Sequence, residues 1–198
     1  MLTHIRQERK KDRNDVELLT REAFYKEKDL QEKGFGCSEH YMVHLLRKKD
    51  GIKALNLVAE INGEIVGHII YSKATIITDD NQKINVLSMG PLTVKKAHQN
   101  KGIGTKLMRY SLDKARQLGY GAVLIFGHTN YYPRFGFLPA SQYHITTKEG
   151  DNFDAFMALE LKKGFLDHVA GKFIESSVYD EDQHIEHIKA YDLKFQTK

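Results

Sequence analysis

Apolar positions along the chain follow two periods in turn, and the changes between them mark the elements. A short segment, His4–Gln7, can open a sheet. Val16, Leu19, Ala23 and Phe24 then recur at near-helical spacing, which predicts a helix over about 15–27. Asn14 with Glu17 three positions later reads as its capping box. Gly34-Phe35-Gly36 breaks the chain, and Ser38 caps a second helix with Tyr41, Val43, Leu45 and Leu46 as its apolar positions. From Ala54 the period drops to two. Leu55, Leu57, Ala59 and Ile61 share one face, with Asn56, Val58 and Glu60 on the other. Asn62-Gly63 is a strong hairpin signal, returning the chain as a strand over Ile65–Tyr71.

Asp79-Asp80-Asn81 marks the next turn, and Ile84–Val94 reads as a long strand interrupted at Gly90-Pro91. Proline has no N–H for a ladder, so the strand should bulge or lose a partner there. Gly102–Leu118 carries the clearest helical stripe (Ile103, Leu107, Met108, Ser111, Ala115, Leu118), stopped by Gly119. Ala122–Phe126 is wholly apolar, as in a strand buried on both faces. Tyr131–Phe135 suits one helical turn, and Tyr143–Thr147 with Asp154–Leu161 look like a closing pair of strands. Beyond Gly164 the pattern allows a hairpin over Val169–Ile174 and an acidic turn at Asp180-Glu181-Asp182.

Composition narrows the class. The chain has 198 residues, 41% hydrophobic and 28% charged, which suits one α/β domain with an appendage and rules out wholesale disorder. Its first residues lack the apolar run of a secretory signal, and no stretch approaches a membrane span. One cysteine, Cys37, permits no internal disulfide and fits a reducing cytoplasm. The net charge of +4 is concentrated at the start, where Arg6, Arg9, Lys10, Lys11 and Arg13 face only Glu8 and Asp12. A nucleic-acid reader carries a denser basic stripe with interleaved aromatics, so the balance argues against nucleic acid. His40/His44 and His184/His187 stand at helical spacing without a third ligand, so no metal is expected.

The chemistry concentrates after the long strand, where a polar loop, Lys95–Asn100, runs into Lys101-Gly102-Ile103-Gly104-Thr105-Lys106 at a helix start. Unpaired N–H groups there, with the helix dipole behind them, favour an anion. Gly102 and Gly104 let a phosphate approach the backbone; Gln99 and Lys101 offer donors, and Lys95 and Lys96 add positive potential. The order of Lys and Thr excludes a P-loop, and Leu107 stands where a dinucleotide fingerprint needs its third glycine.

Gln99-Asn-Lys-Gly-Ile-Gly104 resembles the Gln/Arg-x-x-Gly-x-Gly/Ala motif of the GNAT family of N-acetyltransferases. Val86–Val94 resembles the strand before that motif, Tyr132-Pro-Arg-Phe-Gly-Phe137 the Tyr-x-x-x-Gly-Phe after the next strand, and Val58–Gly67 the first hairpin. Gly127–Phe137 is most similar to the YhbS-like bacterial subgroup. The resemblance implies an α/β (α+β) acyl-CoA N-acyltransferase fold, a mixed, mostly antiparallel sheet flanked by helices, over residues 3–161, with 162–198 as an extension.

It also implies acetyl-CoA as cosubstrate, with its pyrophosphate on Gln99, Asn100, Lys101, Gly102, Ile103, Gly104 and Thr105. The pantetheine arm would lie in a wedge between the strand ending at Val94 and Ala122–Phe126. There it would pair with the backbone of Leu92 and Val94, with Thr93 facing away. A backbone N–H near Met89–Leu92 would polarise the thioester carbonyl. Tyr132 occupies the family's general-acid position, against the alternative of a packing aromatic beside Phe135 and Phe137. Glu60 is the candidate base, directly or through water, with a surface carboxylate as the alternative; His128 is a weaker one. Where the family has an Asn before that Tyr, this chain has Ile125, and Asn130 lies too close to replace it. Tyr25, Phe35 and Tyr41 are core or acceptor-pocket wall.

The implied reaction moves an acetyl group to a primary amine on a small molecule or peptide. The alternative is a catalytically weak acyl-CoA-binding regulatory module. The acceptor, the size of the acyl group and the oligomeric state, a homodimer included, stay open.

Overall fold

In the computed structural model, residues 3–195 are described. The first half of the chain forms β1 (His4–Gln7), α1 (Arg13–Phe24), α2 (Glu27–Lys33), α3 (Glu39–Leu46), β2 (Leu57–Ile61), β3 (Glu64–Thr78) and β4 (Lys83–Val94). There follow α4 (Ile103–Gln117), β5 (Ala122–Phe126), β6 (Leu138–Pro139), β7 (Ile145–Thr146), β8 (Phe156–Glu160), β9 (Gly171–Ile174) and α5 (Ile185–Asp192). The backbone resolves into two units. One holds residues up to Ile70, Pro91–Leu107 and the chain from Ser177; the other holds Tyr71–Gly90 and Met108–Ser176.

In the first unit β1, β2 and β3 form an antiparallel meander. Asn62 (φ 51°) and Gly63 (φ 84°) turn the hairpin in the left-handed region that Asn-Gly supplies. Neither face of β2 is solvent-exposed: Leu57, Val58 and Ala59 are fully buried, and Leu55 belongs to a 3-10 turn, Lys53–Leu55. Val16 and Leu19 of α1 pack with Val43 and Leu46 of α3 against Val58, Ile65 and Ile70. Gly67 brings β3 close to α4, because a Cβ there would lie 2.9 Å from Leu107 and 3.2 Å from the Thr93 carbonyl.

The α1 boundary differs from the sequence expectation. The helix begins at Arg13, continuing a 3-10 turn at Lys10–Asp12, so Asn14 lies inside it and caps nothing. Asp12 closes the box instead, its carboxylate accepting the Arg9 N–H at 2.7 Å. Glu17 turns inward to Arg47 and Tyr191. The unforeseen α2 ends on Gly34 (φ 82°).

The second unit is built on apolar strands. β5 pairs antiparallel with β8 over its whole length and parallel with β4 at Leu87–Ser88, while β6 adds to β8. The two predicted closing strands do not pair. β8 joins β5 and β6, whereas β7 runs parallel to β9. β9 is no hairpin either, since it lies antiparallel on Thr75–Thr78 and so explains why β3 continues beyond Tyr71. Gly171 is required at that crossing: a Cβ would fall 2.2 Å from the Ile77 carbonyl. Ala74, Ile76, Val86, Leu124, Phe156, Ala158 and Phe173 make the core, and Leu118, expected on the buried stripe of α4, is exposed.

Candidate active site

The loop after β4 belongs to the first unit, and its own side chains hold its shape. The Lys95 N–H bonds to the Val66 carbonyl at 2.9 Å, and a 3-10 turn spans Lys96–His98. The Gln99 amide donates to the Val94 carbonyl at 3.0 Å, and the Lys101 ammonium to the Ala97 carbonyl at 2.8 Å. Both side chains expected to offer donors outward are thus engaged in the loop, and Lys95 is paired with Glu64. Asn100 (φ 60°) and Gly102 (φ 79°) take left-handed conformations that turn the chain into α4.

The helical ladder begins with the Lys106 N–H on the Gly102 carbonyl at 3.0 Å. The N–H groups of Ile103, Gly104 and Thr105 therefore have no helical acceptor. A Cβ at Gly102 would meet nothing within 4 Å, so that face of the loop is open. Just upstream, Leu92 and Val94 are half-buried while Thr93 is buried, the alternation expected of a strand. Among the described residues the Thr93 Oγ1 is sealed without a hydrogen-bond partner.

Glu60 sits where the β2–β3 register shifts between Ala59 and Glu60. Its carboxylate accepts from Arg6 Nε at 2.8 Å and Nη2 at 2.6 Å, and Arg6 also holds Asp12. The sequence predicts a strand-end carboxylate, acting as base or lying at the surface; β1 brings it a guanidinium. That partner was invisible locally, because Arg6 is 54 residues away.

In the second unit, β4 remains a strand through Gly90-Pro91, and what changes is its partner. Among the described residues its register with β5 covers only Leu87–Val123 and Ser88–Leu124. Ile125 and Phe126 pair with β8 alone, so β5 leaves β4 two residues before Gly90. Tyr132 opens a 3-10 turn that ends on Gly136 (φ 94°). Its ring lies on Gly127, where a Cβ would fall 2.2 Å away, and stands edge-on to Phe137 at 5.8 Å. Burial, with Tyr131 beside it, pushes the phenol up to about 12. His128 is exposed and contributes its carbonyl to the Tyr131 and Tyr132 N–H groups; Ile125 is buried and Asn130 exposed.

Sequence reasoning missed Glu175. It follows β9 directly and is half-buried, with Ser88 Oγ donating to its Oε2 at 3.2 Å. Burial, opposed by the Ser88 bond and assisted by Glu149, lifts its carboxyl to about 7. No spacing could have signalled it, since Ser88 and Glu175 are 87 residues apart.

Other candidates are structural. His40 is fully buried and pushed down to about 4, mainly by desolvation. Cys37 is buried with its thiol pushed far up, first by burial. Phe35 is core, the Tyr25 ring covers Gly36, and Tyr41 packs on Tyr191. Among the described residues no group of His, Cys, Asp or Glu is placed to hold a metal, and no helix is long and apolar enough to cross a membrane.

Residues 16–137 match the sequence model of the acetyltransferase (GNAT) family. The uncharacterized N-acetyltransferase YjhQ of Escherichia coli K12 is 32% identical over 133 residues, 67% of each chain. The uncharacterized N-acetyltransferase YhbS of the same strain is 30% identical over 135 residues, 68% of this chain and 78% of its own. The crystal structure of Escherichia coli YhbS in complex with CoA superposes with a TM-score of 0.75 at 25% identity, covering 90% of this chain and 92% of that one. A Brucella melitensis GNAT acetyltransferase in complex with acetyl-CoA gives 0.67 at 27% identity, covering 90% and 99%. The family model, which spans more than half of the chain, together with these relatives identifies the chain as a member of the acetyltransferase (GNAT) family.

Proposed function

We propose that this acyl-CoA-dependent N-acetyltransferase acetylates a primary amine by direct attack, with residues 3–161 as the catalytic domain and 162–198 as its extension. The observation that carries the reading is the Gln99–Thr105 loop. It is held by its own side chains, open at Gly102, and presents three N–H groups without helical acceptors. That donor set fits a pyrophosphate: backbone N–H groups at a helix start bind anions, and no side chain need be reorganised to admit one. In this proposal Gln99, Asn100, Lys101, Gly102, Ile103, Gly104 and Thr105 hold the pyrophosphate, and the backbone of Leu92 and Val94 pairs with the pantetheine arm, Thr93 between them facing away. Acetyl-CoA, when bound, supplies an acetyl group activated as a thioester.

Tyr132 is proposed to give its proton to the departing sulfur. Its raised pKa keeps the phenol protonated through the physiological range. Glu60, the base candidate of the first strands, would act only after leaving Arg6. Binding without turnover would favour a regulatory module.

Calorimetric titration with acetyl-CoA and CoA, beside a thiol-release assay over primary amines, tests the reading. We expect micromolar binding that Gly102→Val abolishes, because valine would fill the open face at a φ it rarely adopts. Tyr132→Phe is expected to lower turnover more than affinity. Wild-type protein that binds neither nucleotide overturns the assignment.

A further inference from the structure

We propose that Glu175, supplied by the segment after β9, is the general base that deprotonates the acceptor amine. The proposal rests on the acetyltransferase reading and deepens it. Three observations within the second unit carry it. First, Ser88 lies at the last position where β4 pairs with β5, and Ser88 Oγ holds Glu175 Oε2 at 3.2 Å. The carboxylate is thereby fixed where the two strands part, two residues before Gly90. The resemblance assigns the thioester carbonyl to a backbone N–H near Met89–Leu92.

Second, only one oxygen is used. Among the described residues Oε1 makes no protein hydrogen bond, and it is not sealed from solvent, so it is available to an incoming ammonium. Third, among the described residues Glu175 has no cation partner. Glu60 is clamped by Arg6, whereas the neighbours that bear on Glu175 are the neutral Ser88 and the acidic Glu149. With desolvation, they place its titration at about 7, where a base takes a proton and gives it up again near neutrality.

The protons balance as follows. Glu175 takes one proton from the ammonium form of the acceptor and passes it to water. The freed nitrogen forms the new C–N bond as the C–S bond breaks. Tyr132 gives its proton to the sulfur and regains one from the second proton that the nitrogen sheds.

The test compares wild type with Glu175→Gln, which can still accept the Ser88 bond, and with Glu175→Asp. The probes are CoA for binding, and spermidine, benzylamine and lysinamide for thiol release from acetyl-CoA. Glutamate labelled with carbon-13 at the carboxyl reports the titration directly, the Glu175 signal being the one lost in Glu175→Gln. We expect that signal to titrate near 7 in the CoA-bound protein. Turnover by Glu175→Gln should fall about 100-fold or more at neutral pH, with partial recovery in Glu175→Asp and CoA affinity within about twofold. The acid limb of the wild-type profile, with its midpoint near that carboxyl, should disappear in Glu175→Gln.

CoA binding with an ordinary carboxyl titration, or with undiminished turnover in Glu175→Gln, overturns the role of Glu175 alone. Absence of CoA binding by the wild type overturns the acetyltransferase reading and Glu175 with it. Should none of the three amines be acetylated, the carbon-13 midpoint decides: near 7 supports the base, near 4.5 removes it.

Discussion

The two units handle charge in opposite ways. In the first, buried and half-buried carboxylates meet guanidiniums: Arg6 holds Asp12 and Glu60, Arg21 holds Asp192, and Arg47 holds Glu8 and Glu17. In the second, the core is aliphatic and aromatic, and its one salt bridge among the described residues is Arg116–Asp113 on the surface of α4. A carboxylate held by a guanidinium is fixed in its charged form and makes a poor proton acceptor near neutrality. One placed among apolar groups without a cation drifts toward neutrality. Catalytic protonation chemistry is therefore better sought where ion pairs are scarce, and Glu175 and Tyr132 both lie there.

The largest effect should come from Arg47. Its side chain is 5% exposed, against 4% for Glu8 and 9% for Glu17. Arg47→Ala would strand two buried carboxylates, and urea unfolding should show a loss of about 3–5 kcal/mol. Adding Glu8→Gln and Glu17→Gln to Arg47→Met should restore most of it, because the net worth of a buried pair is small beside the cost of breaking it. A loss below about 1 kcal/mol in the single variant would mean that charge does not organise the first unit.

An intermediate effect, of opposite sign in the two units, follows from pH. Arg6 holds Asp12 below the usual carboxylate range; Asp192 lies there too, because Arg21 and the Gly36 N–H outweigh its burial. Groups with depressed folded pKa values stabilise above their unfolded values and lose that contribution as pH falls through the folded ones. The first unit should therefore weaken in acid. His40 adds to this: at about 4 it stays neutral when folded while the unfolded chain takes up protons from about 6.5 downward. Glu175 runs the other way. Its folded value near 7 lies above the unfolded 4.5, so folding binds a proton between them and its contribution weakens as pH rises. Glu175→Gln should accordingly raise stability at pH 8 by about 1–2 kcal/mol and change little at pH 4. No gain at pH 8 would mean that the carboxylate is comfortably solvated.

How much of this was legible in the sequence follows from the range of the interactions involved. Asn62-Gly63, Gly119 and the loop into α4 act through local backbone conformation, and each was readable as it stands. Ala122–Phe126 declared itself by being apolar throughout. The errors came where distant pairing decides. Asn14–Glu17 has the spacing of a capping box, but Arg47 and Tyr191 take the Glu17 carboxylate, and the box forms one turn earlier, with the Asp12 carboxylate on the Arg9 N–H. β7 and β8 have strand-like sequences whose partners were unpredictable, because β9 intervenes from the tail. The same rule governs the candidate site: the turn into α4 is set by local backbone conformation, whereas Arg6 on Glu60 and Ser88 on Glu175 are long-range pairings that no local spacing signals.

The smallest effect probes the other side of the comparison. Arg116 and Asp113 meet at 2.8 Å one turn apart on α4, with side chains 42% and 68% exposed. Water already solvates both groups, and holding two long side chains together costs rotamer freedom, so such pairs contribute roughly 0–0.5 kcal/mol. Asp113→Ala should shift the urea midpoint hardly at all, and the shift should vanish in high salt, which screens exposed charges. Arg47→Ala should keep its cost in the same salt, because its pair is withdrawn from the ions. A salt-insensitive loss above about 1 kcal/mol in Asp113→Ala would break the contrast, since the second unit would then also depend on a charge pair.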